Sequence, residues 1–282
     1  MMKRFLLCTD LDRTLIPNGS ASLSPTAAGR FRQLVRREEL CLAYVTGRHR
    51  KLIEDAIADY GLPTPDFAIA DVGTTIFEVT SHGWQSLKSW EGMISPDWRG
   101  LRFNDLRELL RIFPELRLQE EEKQAPFKLS YYVALGEDSL ALARRIKDRL
   151  LGQGVHANLI WSVDELAGIG LLDVLPAGAG KLSAIRFLMN RGRFSLANTV
   201  FAGDSGNDLD VLMSDIPAVL VANAHSEIKE MASRQESGAL YVAQGGYLGM
   251  NGNYCAGILE GLAYFWPEAA RWLHEIEPEK DD

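Results

Sequence analysis

Two aspartates follow the first apolar segment of the chain, and their chemistry stands out. The run Phe5–Cys8 leads into Asp10 and Asp12, with Thr14 two residues further on. A short, bounded apolar run predicts a buried parallel strand, and such strands present functional residues at the carboxyl edge of the sheet. Burying adjacent carboxylates is costly unless a cation compensates them, and oxygen ligands favour Mg²⁺. The aspartates therefore predict a magnesium site, although Asp and Thr are also common in solvated strand-end turns.

Similar polar residues follow two later apolar runs and begin one helix. They are Thr46 and Gly47 after the run 40–45, Asp204, Asn207 and Asp208 after the run 199–202, and Lys181 in the first turn of a helix. Carboxyl ends of parallel strands converge on one crevice. A nucleophile, an acid, a hydroxyl donor, a cation and metal-binding carboxylates are what phosphoryl transfer requires, because its catalysis is mostly positioning and charge neutralisation. The combination predicts a phosphoryl-transfer site.

The elements that must position these residues alternate between strand and helix. Apolar runs predict strands at 5–8, 40–45, 67–70, 199–202 and 218–221, and Ser24 followed by Pro25 predicts a helix start. This alternation favours an α/β fold with a parallel sheet. From about residue 85 to about 172 the order becomes helix–strand–strand–helix–strand–strand, which predicts a self-contained α+β unit inserted in the sheet's crossovers.

Composition and charge narrow the classes of partner. The 282 residues are 46% hydrophobic and 24% charged, as in ordinary soluble globular proteins. A formal net charge of −8 argues against a nucleic-acid partner, because backbone phosphates need clustered Lys and Arg. No apolar run has membrane-spanning length, and the first one is too short for a signal peptide, so no membrane association is expected. Three scattered cysteines without a CxxC pair favour reduced thiols and a cytoplasmic location.

Taken together, the motifs resemble those of the haloacid dehalogenase-like phosphohydrolases. The resemblance rests on DLDRTL at 10–15, Thr46 after its strand, Lys181, and GDSGND at 203–208, in the family's order. More narrowly, the chain is similar to the sucrose-phosphatase group in TGR at 46–48, PDF at 65–67, VGT at 72–74, FKLSYY at 127–132, LDVLP at 172–176 and GILEGL at 257–262. The resemblance implies a sugar phosphatase with a Rossmann-like parallel-sheet core, residues 1–84 and 173–282. The α+β unit, residues 85–172, would be the cap that reads the substrate.

The resemblance also implies a role for each motif residue. Asp10 would attack phosphorus to form an aspartyl-phosphate, and at an ordinary pKa of about 3.9 it would need no separate base. Asp12 would protonate the leaving alkoxide and then activate water, which requires a raised pKa. Mg²⁺ would be held by Asp10, the Asp12 backbone carbonyl and Asp204, with Asp208 orienting these ligands. The phosphate and substrate ligands would be Thr46, Gly47, Lys181 and Asn207, with Arg48 and Lys128 as further candidates.

Several residues have alternative interpretations or depart from the family pattern. Arg48 could be a surface charge, and Lys128 an edge lysine that extends its charge towards water. In the cap, a sugar could stack on Trp90 or Trp161 and bond to Asn158 or Asp173, although all four could be structural. Arg13 stands where the family usually has Gly, and the narrower group Asn, so it needs an ordinary backbone conformation or tolerated strain. Thr75 stands after the VGT segment, where the narrower group often has Glu. No role is predicted for His82, His156, His225 and His274.

The functional prediction is a Mg²⁺-dependent phosphatase for a sugar phosphate, with sucrose 6-phosphate as the first candidate substrate. Mannosylfructose phosphate, another glycoside phosphate or a hexose phosphate are the alternatives within this class. A glycosyltransferase that makes the substrate is a candidate partner. Two hypotheses from other classes remain: a non-enzymatic phospho-acceptor module that uses the aspartates for signalling, and an inactive partner of a glycosyltransferase.

Overall fold

Strands and helices alternate through most of the chain. In the computed structural model, which describes residues 4–136, 138–164, 167–233 and 238–277, the strands are β1 (Phe5–Thr9), β2 (Leu40–Val45), β3 (Phe67–Ala70), β4 (Thr75–Thr80), β5 (Gly83–Ser86), β6 (Arg117–Leu118), β7 (Leu129–Val133), β8 (Ala157–Asp164), β9 (Ile169–Pro176), β10 (Thr199–Gly203), β11 (Ala218–Leu220) and β12 (Leu240–Val242). The helices are α1 (Ala27–Val35), α2 (Arg50–Asp59), α3 (Lys88–Ile94), α4 (Phe103–Leu110), α5 (Ser139–Leu151), α6 (Lys181–Gly192), α7 (Leu209–Leu212), α8 (Ser226–Ser233), α9 (Cys255–Phe265) and α10 (Pro267–Glu275). Within these ranges, no helix combines the length and apolar character needed to cross a membrane.

The larger sheet has eight strands in the described residues, in the order β12-β11-β10-β1-β2-β3-β4-β5. The strands from β12 to β3 are all parallel, and β4 and β5 add an antiparallel hairpin at one edge. All five residues of β1 are buried, because helices cover both faces of the sheet around it, which explains the continuous apolar run. The predicted α/β fold with a parallel-sheet core is confirmed.

Helix α9 lies unusually close to one face of this sheet and shares that layer with α1 and α10. Its residues Cys255–Leu262 are all buried. Gly257 and Gly261 are one turn apart, and a Cβ atom added to Gly261 would lie 2.1 Å from Val219 Cγ2 on β11. Only glycine therefore permits this approach of helix to strand.

A second, four-stranded antiparallel sheet has the order β6-β7-β9-β8. Residues of α4 and α5, including Leu106 and Ile146, are buried with those of β7 and β9 in the same hydrophobic cluster. The boundaries of the inserted unit expected at 85 and 173 both fall inside strands, since β5 ends at Ser86 and β9 at Pro176. We propose that residues 87–176 form the cap and that the remainder forms the core.

Two local expectations are wrong for identifiable reasons. Helix α1 begins at Ala27, not at Pro25, because the Ser24 hydroxyl does not cap it and instead accepts a hydrogen bond from the Asn251 amide at 2.9 Å. Helix α3 was not predicted, because its seven residues include Gly92 and provide too short an amphipathic pattern. Trp90 and Ile94 of this helix are buried, so tertiary packing stabilises it.

The three cysteines are buried thiols. Cys8 lies on β1 and Cys41 on the adjacent β2. Burial raises the pKa of Cys8 well above its ordinary value and that of Cys41 to about 12. Neither thiol is therefore a reactive thiolate at neutral pH in the folded chain.

Candidate functional site

A buried ion-pair cluster lies where β1 and β10 end and α6 begins. Lys181 Nζ is 2.9 Å from Asp10 Oδ1 and 2.7 Å from Asp208 Oδ1. It also donates to Asn207 Oδ1 at 3.1 Å. The parallel sheet fixes this geometry, because the Asp10 amide donates to the Ala202 carbonyl of the neighbouring strand at 2.8 Å. Lys181 is only 1% exposed, so its ammonium is paired almost entirely out of water.

Asp10, Asp204 and Asp208 form the candidate metal group. Each offers an oxygen within 4.8 Å of the others. Burial raises the pKa of Asp10 well above its ordinary value, and the charges of Asp208 and Asp204 raise it further against the lowering effect of Lys181. Burial, followed by the charge of Asp208, raises the pKa of Asp204 to about 6. The expectation that Asp10 has an ordinary pKa is therefore wrong for the metal-free site.

The available oxygens fit a divalent cation. Asp204 Oδ2 is buried and accepts no hydrogen bond within the described residues, whereas its Oδ1 is 3.3 Å from Thr14 Oγ1. Asp208 has both oxygens engaged, one by Lys181 and the other by the amides of Asp204 and Ser205, each at 3.2 Å. The three carboxylates outnumber the Lys181 ammonium, and Mg²⁺ would offset the excess negative charge while accepting the oxygen ligands it prefers.

Asp12 points towards a different partner. Arg48 holds its carboxylate in a fork, with Nε 2.8 Å from Oδ2 and Nη2 2.6 Å from Oδ1. Asn18 Nδ2 donates to the same Oδ1 at 2.7 Å. Burial raises the pKa of Asp12, but the hydrogen bonds and charge of Arg48 outweigh it and bring the pKa below its ordinary value. The raised pKa expected for Asp12 is therefore wrong in this conformation. Arg48 is half-buried and paired with Asp12, and its role as a substrate ligand stays a prediction.

Thr46, Gly47 and Asn207 surround the same strand ends. Thr46 is buried at the end of β2, next to β1, and its Oγ1 accepts the Arg48 amide at 3.2 Å. The Gly47 amide and the Asn207 Nδ2 group donate no hydrogen bond to any described residue. These donors, with the Lys181 ammonium, have the chemistry needed to hold phosphate oxygens.

On the cap side, Lys128 lies just before β7 and is 6% exposed. It forms no ion pair or hydrogen bond through its ammonium with the part of the chain described. Its charge acts on Asp71 of the core, whose pKa is raised by burial and lowered again in part by Lys128. Asp173 of β9 also acts on Asp71 and accepts a hydrogen bond from the Ser130 hydroxyl. The structure therefore brings cap and core charges together at this side of the site.

Sequence reasoning did not single out Asp71, and it left Trp90 and Asn158 open between a contact with the sugar and a structural role. The signal for Asp71 was its place between β3 and the VGT segment, where it adopts a positive φ of 53°. Trp90 is fully buried and donates Nε1 to the Gly73 carbonyl at 3.1 Å, so it offers no face to a sugar. Asn158 donates to the Ala179 carbonyl at 3.2 Å, whereas Trp161 is half-buried on β8.

Of the two conformations considered for Arg13, ordinary or strained, the structure shows the strained one. Its φ is 58°, in the left-handed region, and two asparagines hold its backbone: Asn18 accepts its amide at 2.8 Å and Asn223 donates to its carbonyl at 2.6 Å. Its side chain reaches the metal group, with Nε 3.5 Å from Asp204 Oδ2. Nη1 lies 2.7 Å from His225 Nε2, so His225 belongs to the site although no role was predicted for it.

Comparison with known proteins agrees with this arrangement. A family model described as sucrose-6F-phosphate phosphohydrolase matches residues 3–266. A HAD-like hydrolase of Nitrosococcus oceani is 51% identical over 277 residues, which cover 97% of this chain and 75% of that protein. Sucrose-phosphatase 1 of Nicotiana tabacum is 31% identical over 231 residues, covering 80% of this chain. The aligned part spans only 52% of that plant protein.

Among solved structures, a sucrose-phosphatase from Synechocystis in complex with sucrose and phosphate is similar over nearly all of the chain. The two structures superimpose with a TM-score of 0.75 at 26% sequence identity. The match covers 94% of this chain and 98% of the Synechocystis chain. Both the core and the inserted α+β unit therefore have counterparts in that protein.

Proposed function

This chain belongs to the sucrose-6F-phosphate phosphohydrolase family of phosphoric monoester hydrolases, and we propose that it is a Mg²⁺-dependent sugar phosphatase with sucrose 6-phosphate as its first candidate substrate. The observation that carries the proposal is the buried cluster of Asp10, Asp204 and Lys181 at the carboxyl edge of the sheet. The Synechocystis neighbour, whose complex contains sucrose and phosphate, supports the choice of sugar.

The reaction begins with attack of an Asp10 oxygen on phosphorus, which breaks the bond to the sugar oxygen and forms an aspartyl-phosphate. Lys181, Thr46, the Gly47 amide and Asn207 hold the phosphate oxygens as charge develops. Asp10, Asp204 and the Asp12 carbonyl would hold Mg²⁺, which would supply positive charge beside Asp10 and the phosphate. Asp208 anchors Lys181 and the 204–205 amides, so it positions the other groups.

Asp12 serves as the proton donor and then as the base for water. Arg48 keeps it ionised in the conformation described. An incoming phosphate dianion competes for the same guanidinium, because bidentate guanidinium binding suits phosphate as well as carboxylate. Release from Arg48, next to that dianion, raises the pKa of Asp12 and lets it carry the proton to the leaving sugar oxygen. Water activated by Asp12 then hydrolyses the aspartyl-phosphate.

The cap contributes the sugar-reading residues in this proposal. Lys128 is buried, and its ammonium has no partner in the described residues. Its charge and that of Asp173 both act on Asp71, so hydroxyl groups of a leaving sugar would find charged acceptors and a donor in this region. Mannosylfructose phosphate, another glycoside phosphate and hexose phosphates remain alternative substrates. A glycosyltransferase partner and a cytoplasmic location stay predictions.

The proposal is tested by phosphate release from the purified chain with Mg²⁺. The substrates are sucrose 6-phosphate, mannosylfructose phosphate, glucose 6-phosphate and fructose 6-phosphate. We expect the highest kcat/KM for sucrose 6-phosphate. Equal values on all four would indicate a general sugar phosphatase, and an aspartyl-phosphate that persists for minutes without turnover would favour a phospho-acceptor module instead.

Mg²⁺ should stabilise the fold more at neutral than at acid pH. The folded pKa of Asp204, about 6, lies above its ordinary value of 3.8. This carboxyl therefore stabilises the metal-free fold below the lower value and loses that contribution as pH rises through 6. Above this range the carboxylate is ionised and able to bind the cation. The measurement is the melting temperature with and without Mg²⁺ between about pH 5 and about pH 7.5.

An Asp204→Asn variant provides the control for this experiment. It should lose most of the Mg²⁺-dependent rise in melting temperature at every pH. A rise in the native protein that is equally large at acid pH would contradict the assignment of Asp204 as a ligand.

Substitution of Lys128 by Met should impair the sugar substrate selectively. Loss of a hydrogen bond to a charged group is worth about 1.5–3 kcal/mol, so kcat/KM for sucrose 6-phosphate should fall roughly 10- to 100-fold. The small ester p-nitrophenyl phosphate, which lacks hydroxyl groups, should be hydrolysed at nearly the native rate. Lys123→Met, a half-exposed lysine in the same cap, is the matched control. Equal losses on both esters would place Lys128 at the phosphate instead.

A further inference from the structure

The Arg13 guanidinium occupies the approach to the metal group. Asp204 Oδ2 is the buried oxygen without a hydrogen bond in the described residues, and the nearest cation to it is Arg13 Nε at 3.5 Å. The other end of the guanidinium contacts His225, which follows β11 by a short loop. Asp204 is 2% exposed, whereas Arg13 is 34% exposed, so the arginine covers the carboxylate from the solvent side.

This position has a consequence for any cation bound by Asp204. A divalent ion coordinating Asp204 Oδ2 would lie within a few ångströms of the Arg13 guanidinium. Two cations at that distance repel strongly here, because the Asp204 carboxylate between them is buried away from the screening effect of water. Arg13 must then move away or remain as a repelling charge, and either event weakens binding of the ion. The backbone cannot easily relieve the conflict, because Asn18 and Asn223 hold Arg13 at its positive φ.

We propose that Arg13 is a positioning residue that competes with the divalent cation for Asp204 and thereby lowers the metal affinity of this site. The inference rests on the proposed Mg²⁺ site and adds a residue that controls how strongly the site is filled. A chain with a small neutral residue at position 13 would hold the same ion more tightly with the same carboxylates. Arg13 thus makes occupancy of the site sensitive to the Mg²⁺ concentration.

The test is the dissociation constant of Mg²⁺, measured by isothermal titration calorimetry on the full chain without substrate. Arg13→Asn removes the charge and suits the left-handed backbone, so it should fold, and we expect its dissociation constant to fall by about tenfold or more. Arg13→Lys restores the positive charge and should bind Mg²⁺ with nearly native affinity. Arg111→Asn, at a 79% exposed position on the cap, makes the same change in net charge and should leave the constant unchanged.

Each outcome decides the inference. Equal or weaker Mg²⁺ binding by Arg13→Asn than by the native chain overturns it and leaves the phosphatase proposal standing. Tighter binding by Arg13→Lys, equal to that of Arg13→Asn, would also overturn it, since the charge would then not be responsible. Failure of both native chain and Arg13→Asn to bind Mg²⁺ overturns this inference together with the metal part of the proposed function, while metal-independent phosphate release would still identify a phosphatase.

Discussion

Replacement of Asp10 by Asn should abolish phosphate release, with kcat lower by at least about 10³-fold, because the variant lacks the attacking carboxylate. An amide of the same shape keeps the strand end filled and can still accept the hydrogen bond from Lys181, so the loss would be chemical and not structural. Phosphate release from sucrose 6-phosphate measures the effect. Intact-mass spectrometry after acid quenching should detect an added phosphoryl group on the native chain and none on Asp10→Asn.

Asp215→Asn is the matched control for this substitution. Asp215 is 57% exposed and pairs with the surface residue Arg186 at 2.7 Å. It should keep the native kcat, because exposed ion pairs contribute little and this one is remote from the strand ends that form the site. Native-like turnover by Asp10→Asn would exclude the aspartyl-phosphate route.

Replacement of Lys181 by Met should reduce the free energy of unfolding by about 3–5 kcal/mol near neutral pH, besides removing activity. The side chain is 1% exposed and pairs with Asp10 and Asp208. Methionine fills a similar volume but leaves buried carboxylates without their cation. Urea unfolding of the variant and the native chain, both without Mg²⁺, measures the difference.

The loss caused by Lys181→Met should depend on pH in a defined direction. Burial already raises the pKa of Asp10 above its ordinary value, and removal of the ammonium, which lowers that pKa, raises it further. A carboxyl whose folded pKa is raised favours folding when protonated, so this stabilisation is lost as pH rises through the folded value. The deficit should therefore be small near about pH 5 and large near about pH 7.5.

Arg186→Met is the control on the same helix. Arg186 is 52% exposed, and loss of its surface ion pair should change the free energy of unfolding by less than about 0.5 kcal/mol. A loss in Lys181→Met that is equal at both pH values would indicate lost packing in place of unpaired carboxylates. Partial recovery on adding Mg²⁺ would support a shared role of lysine and metal in neutralising the cluster.

The sequence predicted the sheet and the convergence of its polar strand ends because both follow from local patterns. The run from Phe5 and the aspartates after it specify a buried strand and its carboxyl edge without knowledge of distant residues. The direction of the pKa shift of Asp12 does not follow from a local pattern, because it is decided by Arg48, 36 residues later in the chain. No periodicity or spacing in one sequence reveals which guanidinium will turn towards which carboxylate.

The contact between Arg13 and His225 is hidden for the same reason, because the two residues are 212 positions apart in the chain. Asp71 was missed because aspartate is common in the turns that follow strands, so its presence there does not indicate a special role. The boundaries expected for the cap fall inside β5 and β9, because the ends of these strands are decided by pairing with their partner strands. Local patterns thus place the candidate polar groups at one edge of the sheet, and tertiary contacts set their protonation.

The place of Cys8 allows a measurement of how firmly the strand before Asp10, the proposed nucleophile, is held. It lies two residues before Asp10, in the strand flanked by β10 and β2, and burial suppresses its ionisation. A thiol-modifying reagent can reach this sulfur only when the packing over this face of the sheet, to which Ile185 of α6 contributes, transiently opens. The rate of alkylation at Cys8, resolved by peptide mass mapping, therefore reports how often the packing around the strand that leads to Asp10 opens.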